Sequence, residues 1–286
     1  MSRKALLSAS AKDKIFNVFA MLCTFFALLV LVVLFADILI KGLGRINWSF
    51  LMNFPSRHPE QSGIYTALAG MFTLLFFTIL IALPIGIMSA IYLQEYGAKN
   101  RLAKIVEINI SNLAGVPSVI YGILGLTLFV RAAGLGNSIL AAAFTLALLI
   151  MPVIIVATRE AIKAVPDSLR EASYGMGATR WQTVSRVVLP ASFGGILTGI
   201  ILSVSRAIGE TAPLIVVGAL AYVPFIPEGP MDQFTSLPIQ IYNWTSRPQQ
   251  GFIVNAAAGI IILLLFTFLL NGIAIYLRNR WHKKTT

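Results

Sequence analysis

Arg206 and Glu210 stand where ionisable residues are expensive. They lie in Ser205-Arg206-Ala207-Ile208-Gly209-Glu210-Thr211-Ala212-Pro213, inside an apolar run from about residue 193 to 220. A charge at the centre of a bilayer costs about 2.5–3.5 kcal/mol even on the mildest scale. Opposite charges at i and i+4 share a helix face and offset part of that cost. Gly199, Ser203, Arg206, Glu210 and Pro213 fall on one stripe, small and polar among apolar surroundings. One reading is a structural bridge that locks this helix to its neighbours. The other is a water-accessible substrate path lined by Ser203, Arg206, Glu210 and Thr211. In that path Arg206 attracts an oxyanion, and Glu210 keeps the attraction from becoming a trap. Pro213 removes the bond to the Gly209 carbonyl, which predicts a kink beside the pair.

A second constellation is the polar stretch 158–190. Pro166 and Asp167 open a short helix on which Val165, Leu169, Ala172 and Met176 fall at helical spacing. Gly175 and Gly177 supply a turn. A second helix follows, with Thr179 and Gln182 spaced as a capping box and Trp181, Val184 and Val188 on one face. Two short helices and a glycine turn would also suit an ordinary loop, and the spacing argues against that. Glu171-Ala172-Ser173, three residues, Gly177, nine residues, then Val187-x-Leu189-Pro190 resembles the EAA loop of bacterial ABC-importer permeases. The sequence departs from that pattern at Ser173, usually Ala, and at Val187, often Ile. The resemblance implies a coupling helix that docks on a cytoplasmic ATPase, with Asp167, Arg170, Glu171, Ala172, Gly177, Leu189 and Pro190 as coupling residues.

The elements that must position these residues are membrane spans. The chain has 286 residues, 57% hydrophobic and 12% charged, with mean hydropathy +0.83. A soluble domain carries about 25% charged residues. Six spans are expected, near 15–40, 64–93, 105–130, 138–157, 193–220 and 252–277. The first is too long for a signal-peptide core and is read as retained. The third contains Pro117, with Gly115, Gly122 and Gly125 allowing close helix approach. Cys23 has no partner for an intrachain disulfide and is read as a small core residue; His58 beside Glu60 is read as solvated. The 221–251 segment reads as a Pro-rich loop. The domain division is 1–63 (leader, first span, first external loop), 64–280 (permease core of five spans) and 281–286 (tail).

The net charge of +11 is a topology signal. Sixteen of the 22 Lys and Arg fall in residues 1–14, 94–107, 158–190 and the tail, against five in the opposite loops. By the positive-inside rule both termini are cytoplasmic, and the distribution gives no support to nucleic-acid binding. No glycine is followed by lysine, so there is no phosphate-cradling Walker A loop. Neither a metal-ligand cluster nor a nucleophile–base arrangement is visible, and no cofactor is expected.

Ser205 to Leu214 also resembles the fifth-helix signature of the PstA-type family of bacterial phosphate-importer permeases. Phe234-Thr235-x-Leu237-Pro238-Ile239-Gln240-Ile241-Tyr242 and Asn271-Gly272-x-Ala274-Ile275 resemble the same family, and the likeness covers about residues 64–280. It implies an all-α polytopic membrane protein with the six-helix type I ABC-importer (MetI-like) permease fold. It also implies a bacterial inner-membrane location and inorganic phosphate as cargo. The implied partners are a second homologous permease (PstC-like), a cytoplasmic ATPase dimer (PstB-like), an extracytoplasmic phosphate-binding protein (PstS-like) and the lipid bilayer. ATP hydrolysis then belongs to the partner, and this chain is not an enzyme. Alternatives are an importer of another oxyanion, such as sulfate or molybdate, and an autonomous channel or ion-coupled carrier, for which a docking loop has no use.

The topology is tested by a cysteine introduced at residue 175. An impermeant thiol reagent should reach it only from the cytoplasmic side; labelling from outside would overturn the six-span reading.

Overall fold

The computed structural model describes residues 3–97, 101–219 and 222–285, with side chains from 13 onward apart from 277 and 281–285. Lys99, the expected end of the fifth span at Leu220, and the side chains of Arg3, Lys4 and Lys12 lie outside what is described. Helix α1 (Arg3–Gly42) carries the first span. No Gly or Pro interrupts it between Ile15 and Ile40, so nothing stops the helix. No residue of its most apolar 18-residue window is buried, which suits contact with lipid. Cys23 lies on this exposed helix and not in a core, a correction to the expectation. α1 meets the other helices at its far end, where a Cβ on Gly42 would stand 2.7 Å from the Ala257 backbone. A 3₁₀ turn (Leu43–Arg45) and the short α2 (Trp48–Met52) follow, the latter capped by Asn47, whose side chain accepts from the Phe50 N–H.

α3 (Tyr65–Ile91) runs on into a π-helical turn, Tyr92–Tyr96. The third span is not one helix. α4 (Arg101–Leu113) and α5 (Ser118–Gly125), extended by a π-helical stretch to Ala132, meet at 109°. Pro117 has no N–H and disfavours a helical residue before it, while Gly115 N–H and Val116 N–H close the last turn onto Asn112 and Leu113. α6 (Ile139–Lys163) begins at Ser138, whose hydroxyl accepts from Ala141 N–H. It is the central post: two-thirds of its span window is buried, twice the fraction of α3 or α12. α7 (Asp167–Gly175) and α8 (Arg180–Thr183) form the 158–190 loop, and a π-helical turn (Val184–Val188) joins α8 to α9 (Leu189–Gly209) without a break. The fifth span therefore starts earlier than expected and stops at Gly209. α10 (Ala212–Val217) continues as a separate helix. α11 (Leu237–Thr245) is a buried helix within the stretch read as loop. α12 (Gln250–Thr285) is the last span.

Small residues set the helix contacts around α6, as expected where lipid supplies no hydrophobic drive between helices. Gly86 of α3 meets Ile154, and a Cβ on Gly195 of α9 would stand 2.6 Å from Ala161. Gly122 of α5 abuts Pro213 of α10, its virtual Cβ 2.7 Å from the Pro213 Cα, and Gly125 abuts Thr145. Gly115, expected to join them, faces nothing closer than 3.5 Å. Helix α5 is thus pinned between α10 and α6. Gly122→Val should push α5 off α10 at a cost of about 1–3 kcal/mol. Thermal unfolding in detergent should then begin several degrees lower, whereas Gly272→Ala, with open space around it, should leave the midpoint unchanged or slightly higher.

Candidate functional site

The last turn of α9 presents Arg206, and the chain then leaves the helix. Glu210 is extended (φ −72°, ψ 129°). Its Oε1 still receives the Arg206 Nε–H at 3.2 Å. Pro213 therefore does not kink a continuous helix. It sits in the first turn of α10, where a missing N–H has no consequence. Arg206 remains 39% exposed and Glu210 15%. Among the described residues Glu210 is the one partner of the guanidinium, through Nε, which leaves both terminal nitrogens for an anion.

The depth of the pair follows from its neighbours. Arg278, in the charged end of α12, donates to Thr198 Oγ1 at 3.1 Å. Arg206 is eight residues beyond Thr198, about 12 Å along a helix, against about 15 Å for half a hydrocarbon core. Ser205 and Asn271 pair at 2.5 Å close to the same level, tying α9 to α12. A bilayer edge at Arg278 would put Arg206 near mid-membrane. Tyr121 of α5 is buried and donates to Leu113 O at 2.8 Å across the break in the third span. α5 and α10 pack on each other beside the breaks in the third and fifth spans, which therefore adjoin.

The sequence-level stripe divides in two. Arg206 and Glu210 are together, and Thr211 is next to them, its hydroxyl 3.4 Å from Gly209 O. Ser203 is fully buried with its hydroxyl on Gly199 O at 2.8 Å. Gly199 of the same stripe abuts Ala157 of α6, so this part of the stripe is a packing face.

The 158–190 loop turns its apolar stripe outward. Val165 is buried, but Leu169 (44%), Trp181 (62%) and Met176 (83%) are exposed, as are Glu171 and Ala172. Gly177 has φ +81° with open space where a Cβ would be, so its need for glycine is conformational and not steric. Gly175 simply ends α7; one of the two glycines makes the turn. The Thr179–Gln182 capping box forms. Ser173, the departure from the usual Ala, is buried and shares a 2.9 Å hydrogen bond with Thr183, joining α7 to α8. Arg170 is mostly buried and pairs with Asp167 at 3.0 Å and with Glu95 at 3.1 Å. Glu95 was not singled out from sequence; its only signal was a carboxylate at the end of an apolar span. Leu189 packs with Ile162, Val165 and Val188 beneath the loop, while Pro190 is exposed in the first turn of α9. Among the described residues no group of His, Cys, Asp and Glu is placed to hold a metal ion.

Helices long enough to cross a membrane, one of them a bent pair, with the α7–α8 hairpin between α6 and α9, make up a type I ABC-importer permease fold. The chain belongs to the family of binding-protein-dependent transport system inner membrane components, whose family model matches residues 82–283. It is 31% identical over 279 residues to the probable ABC transporter permease protein YqgI of Bacillus subtilis (strain 168), covering 93% of this chain and 94% of that one. It is 34% identical over 226 residues to the phosphate transport system permease protein PstA 1 of Mycobacterium tuberculosis (strain CDC 1551 / Oshkosh), covering 77% and 72%. Among solved structures, an alginate ABC transporter in complex with an alginate pentasaccharide-bound periplasmic protein shares the fold at TM-score 0.69 and 15% identity, covering 96% and 97%. The inward-facing MetNI methionine ABC transporter does so at 0.60 and 20%, covering 77% and 94%. These solved relatives carry the fold and not the cargo.

Gly177→Asp places a side chain on a backbone that disfavours it, a strain of about 1–3 kcal/mol confined to the turn. The variant should insert in the membrane at normal levels and lose transport. Wild-type uptake by a well-expressed Gly177→Asp protein would show that the turn's shape is immaterial.

Proposed function

We propose that this chain is the permease subunit through which an ATP-driven importer moves inorganic phosphate across the bacterial inner membrane. Its termini and the 158–190 loop lie on the cytoplasmic side in this reading, in line with the distribution of Lys and Arg. The observation that carries the proposal is the Arg206–Glu210 pair at the break between α9 and α10, with the guanidinium more than a third exposed; in this reading the pair falls near mid-membrane, about 12 Å along α9 from the charged end of α12. Irregular backbone at that depth is tolerated where it is buried in protein or lines a water-filled cavity. The exposed side of the break fits the second alternative, with the far wall supplied by a second, homologous permease (PstC-like).

Phosphate near pH 7 carries one to two negative charges, and its barrier to an apolar layer is desolvation. The Arg206 guanidinium replaces lost water with charge and two free donor nitrogens. Glu210 competes for the same group from the other side, so the anion is held weakly enough to leave. Thr211 adds a hydroxyl beside them. The exposed Leu169, Ala172, Met176 and Trp181 suit a docking surface for a cytoplasmic ATPase dimer (PstB-like). Substrate would be delivered from outside by a phosphate-binding protein (PstS-like). ATP hydrolysis belongs to the ATPase partner, and this chain needs no cofactor. The relatives named for phosphate transport support the choice of cargo.

The test separates transport from bracing. Arg206→Gln should lower phosphate uptake in proteoliposomes by about a hundredfold, the scale of a lost 2–3 kcal/mol charge-assisted contact, while the complex still assembles. Arg206→Lys should retain part of the activity, since the charge survives without the planar fork. The double variant Arg206→Gln with Glu210→Gln leaves no unpaired charge. It should assemble and stay inactive; recovery of uptake in it would reduce the pair to a structural bridge.

A further inference from the structure

We propose that Glu95 is the positioning residue through which movement of the 158–190 loop reaches the second membrane span, an assignment that rests on the importer reading above. Glu95 lies in the π-helical turn at the end of α3 and is 8% exposed. Its Oε1 accepts from Arg170 Nη2 at 3.1 Å, and Arg170 is itself only 14% exposed. The same guanidinium donates to Ile162 O (2.9 Å) in the last turn of α6, to Val165 O (2.6 Å), and to Asp167 Oδ1 (3.0 Å) at the start of α7. One side chain therefore joins the ends of α3, α6 and α7. Asp167 is 89% exposed and solvated, so Glu95 is the carboxylate that neutralises Arg170 where water is scarce.

The second helix of the hairpin grips the same turn. Arg180, at the start of α8, donates through Nη2 to the Glu95 carbonyl, and its guanidinium lies 4.8 Å from the centre of the Tyr96 ring. Ser173 and Thr183 hydrogen-bond the two helices to each other, and the hairpin holds residues 95–96 through Arg170 and Arg180. Those residues are continuous with α3, a helix about 40 Å long at 1.5 Å per residue. Its opposite end abuts the Thr235 carbonyl at Gly70, next to α11. A displacement imposed on the exposed face of α7 thus has a charged, desolvated grip on a helix that crosses to the other side. The π-helical turns at 92–96 and 184–188 flank the grip. Such turns carry a looser hydrogen-bond ladder and recur at functional sites.

The test uses the full complex of this chain with the second permease, the ATPase and the binding protein in proteoliposomes. Inorganic phosphate uptake and ATP hydrolysis are measured in the same sample. Glu95→Gln keeps the side chain's size and removes its charge. The complex should assemble and hydrolyse ATP, while phosphate moved per ATP falls at least about tenfold, within the usual range for coupling between two sites. Glu95→Asp, with charge but a shorter reach, should lie between. An unchanged ratio in Glu95→Gln overturns the proposal. So does failure of both variants to assemble, which would make the pair structural only. A wild-type complex that hydrolyses ATP but moves no phosphate would instead remove the importer reading, before any variant is compared.

Discussion

A bilayer interior offers no solvent to an unpaired backbone group, and each such group costs several kcal/mol. Most of this chain meets that constraint with uninterrupted helices. Residues 114–117 and 210–211 do not. Each break is supported by what packs next to it: Tyr121 bonds the Leu113 carbonyl at the first, and α10 is held against Gly122 at the second. Because α5 and α10 pack together, the irregular backbone of both spans is gathered into one place, beside Arg206. The rest of the helical architecture, with α6 as post and α3, α9 and α12 around it, holds that place in position.

The Arg206–Glu210 pair is therefore better understood as part of a break than as a salt bridge on a helix. On an intact helix the i,i+4 pair would be satisfied by its own spacing. Here Glu210 has left the helix and is mostly buried, while Arg206 points to an uncovered face. A pair whose cation is the more exposed member and retains free donors is poorly suited to bracing. It suits transient contact with an anion. At the other end of the molecule Glu95 and Arg170 are both desolvated, while Leu169, Met176 and Trp181 of the loop stand exposed among the charged Asp167 and Glu171.

How much of this was legible in the sequence depended on whether the signal was local. The Thr179–Gln182 cap, the turn at Gly177 and the Arg206–Glu210 spacing are local, and all three are found. The breaks were harder because proline alone does not discriminate: Pro84 and Pro152 lie inside intact helices, whereas Pro117 and Pro213 follow breaks. A nearby glycine does not separate them either, since Gly86 stands two residues from Pro84; the difference lies in which helix arrives to support the freed backbone, and that is tertiary. Ser203 shared the polar stripe of Arg206, yet α6 occupies its side of the helix. The Pro238 that suggested a loop instead sits in the first turn of α11, a position where proline favours a helix. Glu95 had only its place at the end of an apolar span to mark it; its burial is created by a hairpin some 75 residues later.

The central claim is that the exposed side of the break at 210–211 lines an aqueous route for an anion. Thr211 reports on it directly, because Cys23 is the chain's only cysteine and can be replaced by Ser. With Thr211→Cys in that background, the assembled complex should react with a charged, membrane-impermeant thiol reagent, and inorganic phosphate should slow the reaction. A thiol at 211 that reacts only with membrane-permeant reagents, indifferent to phosphate, would place the break in protein or lipid and contradict the account.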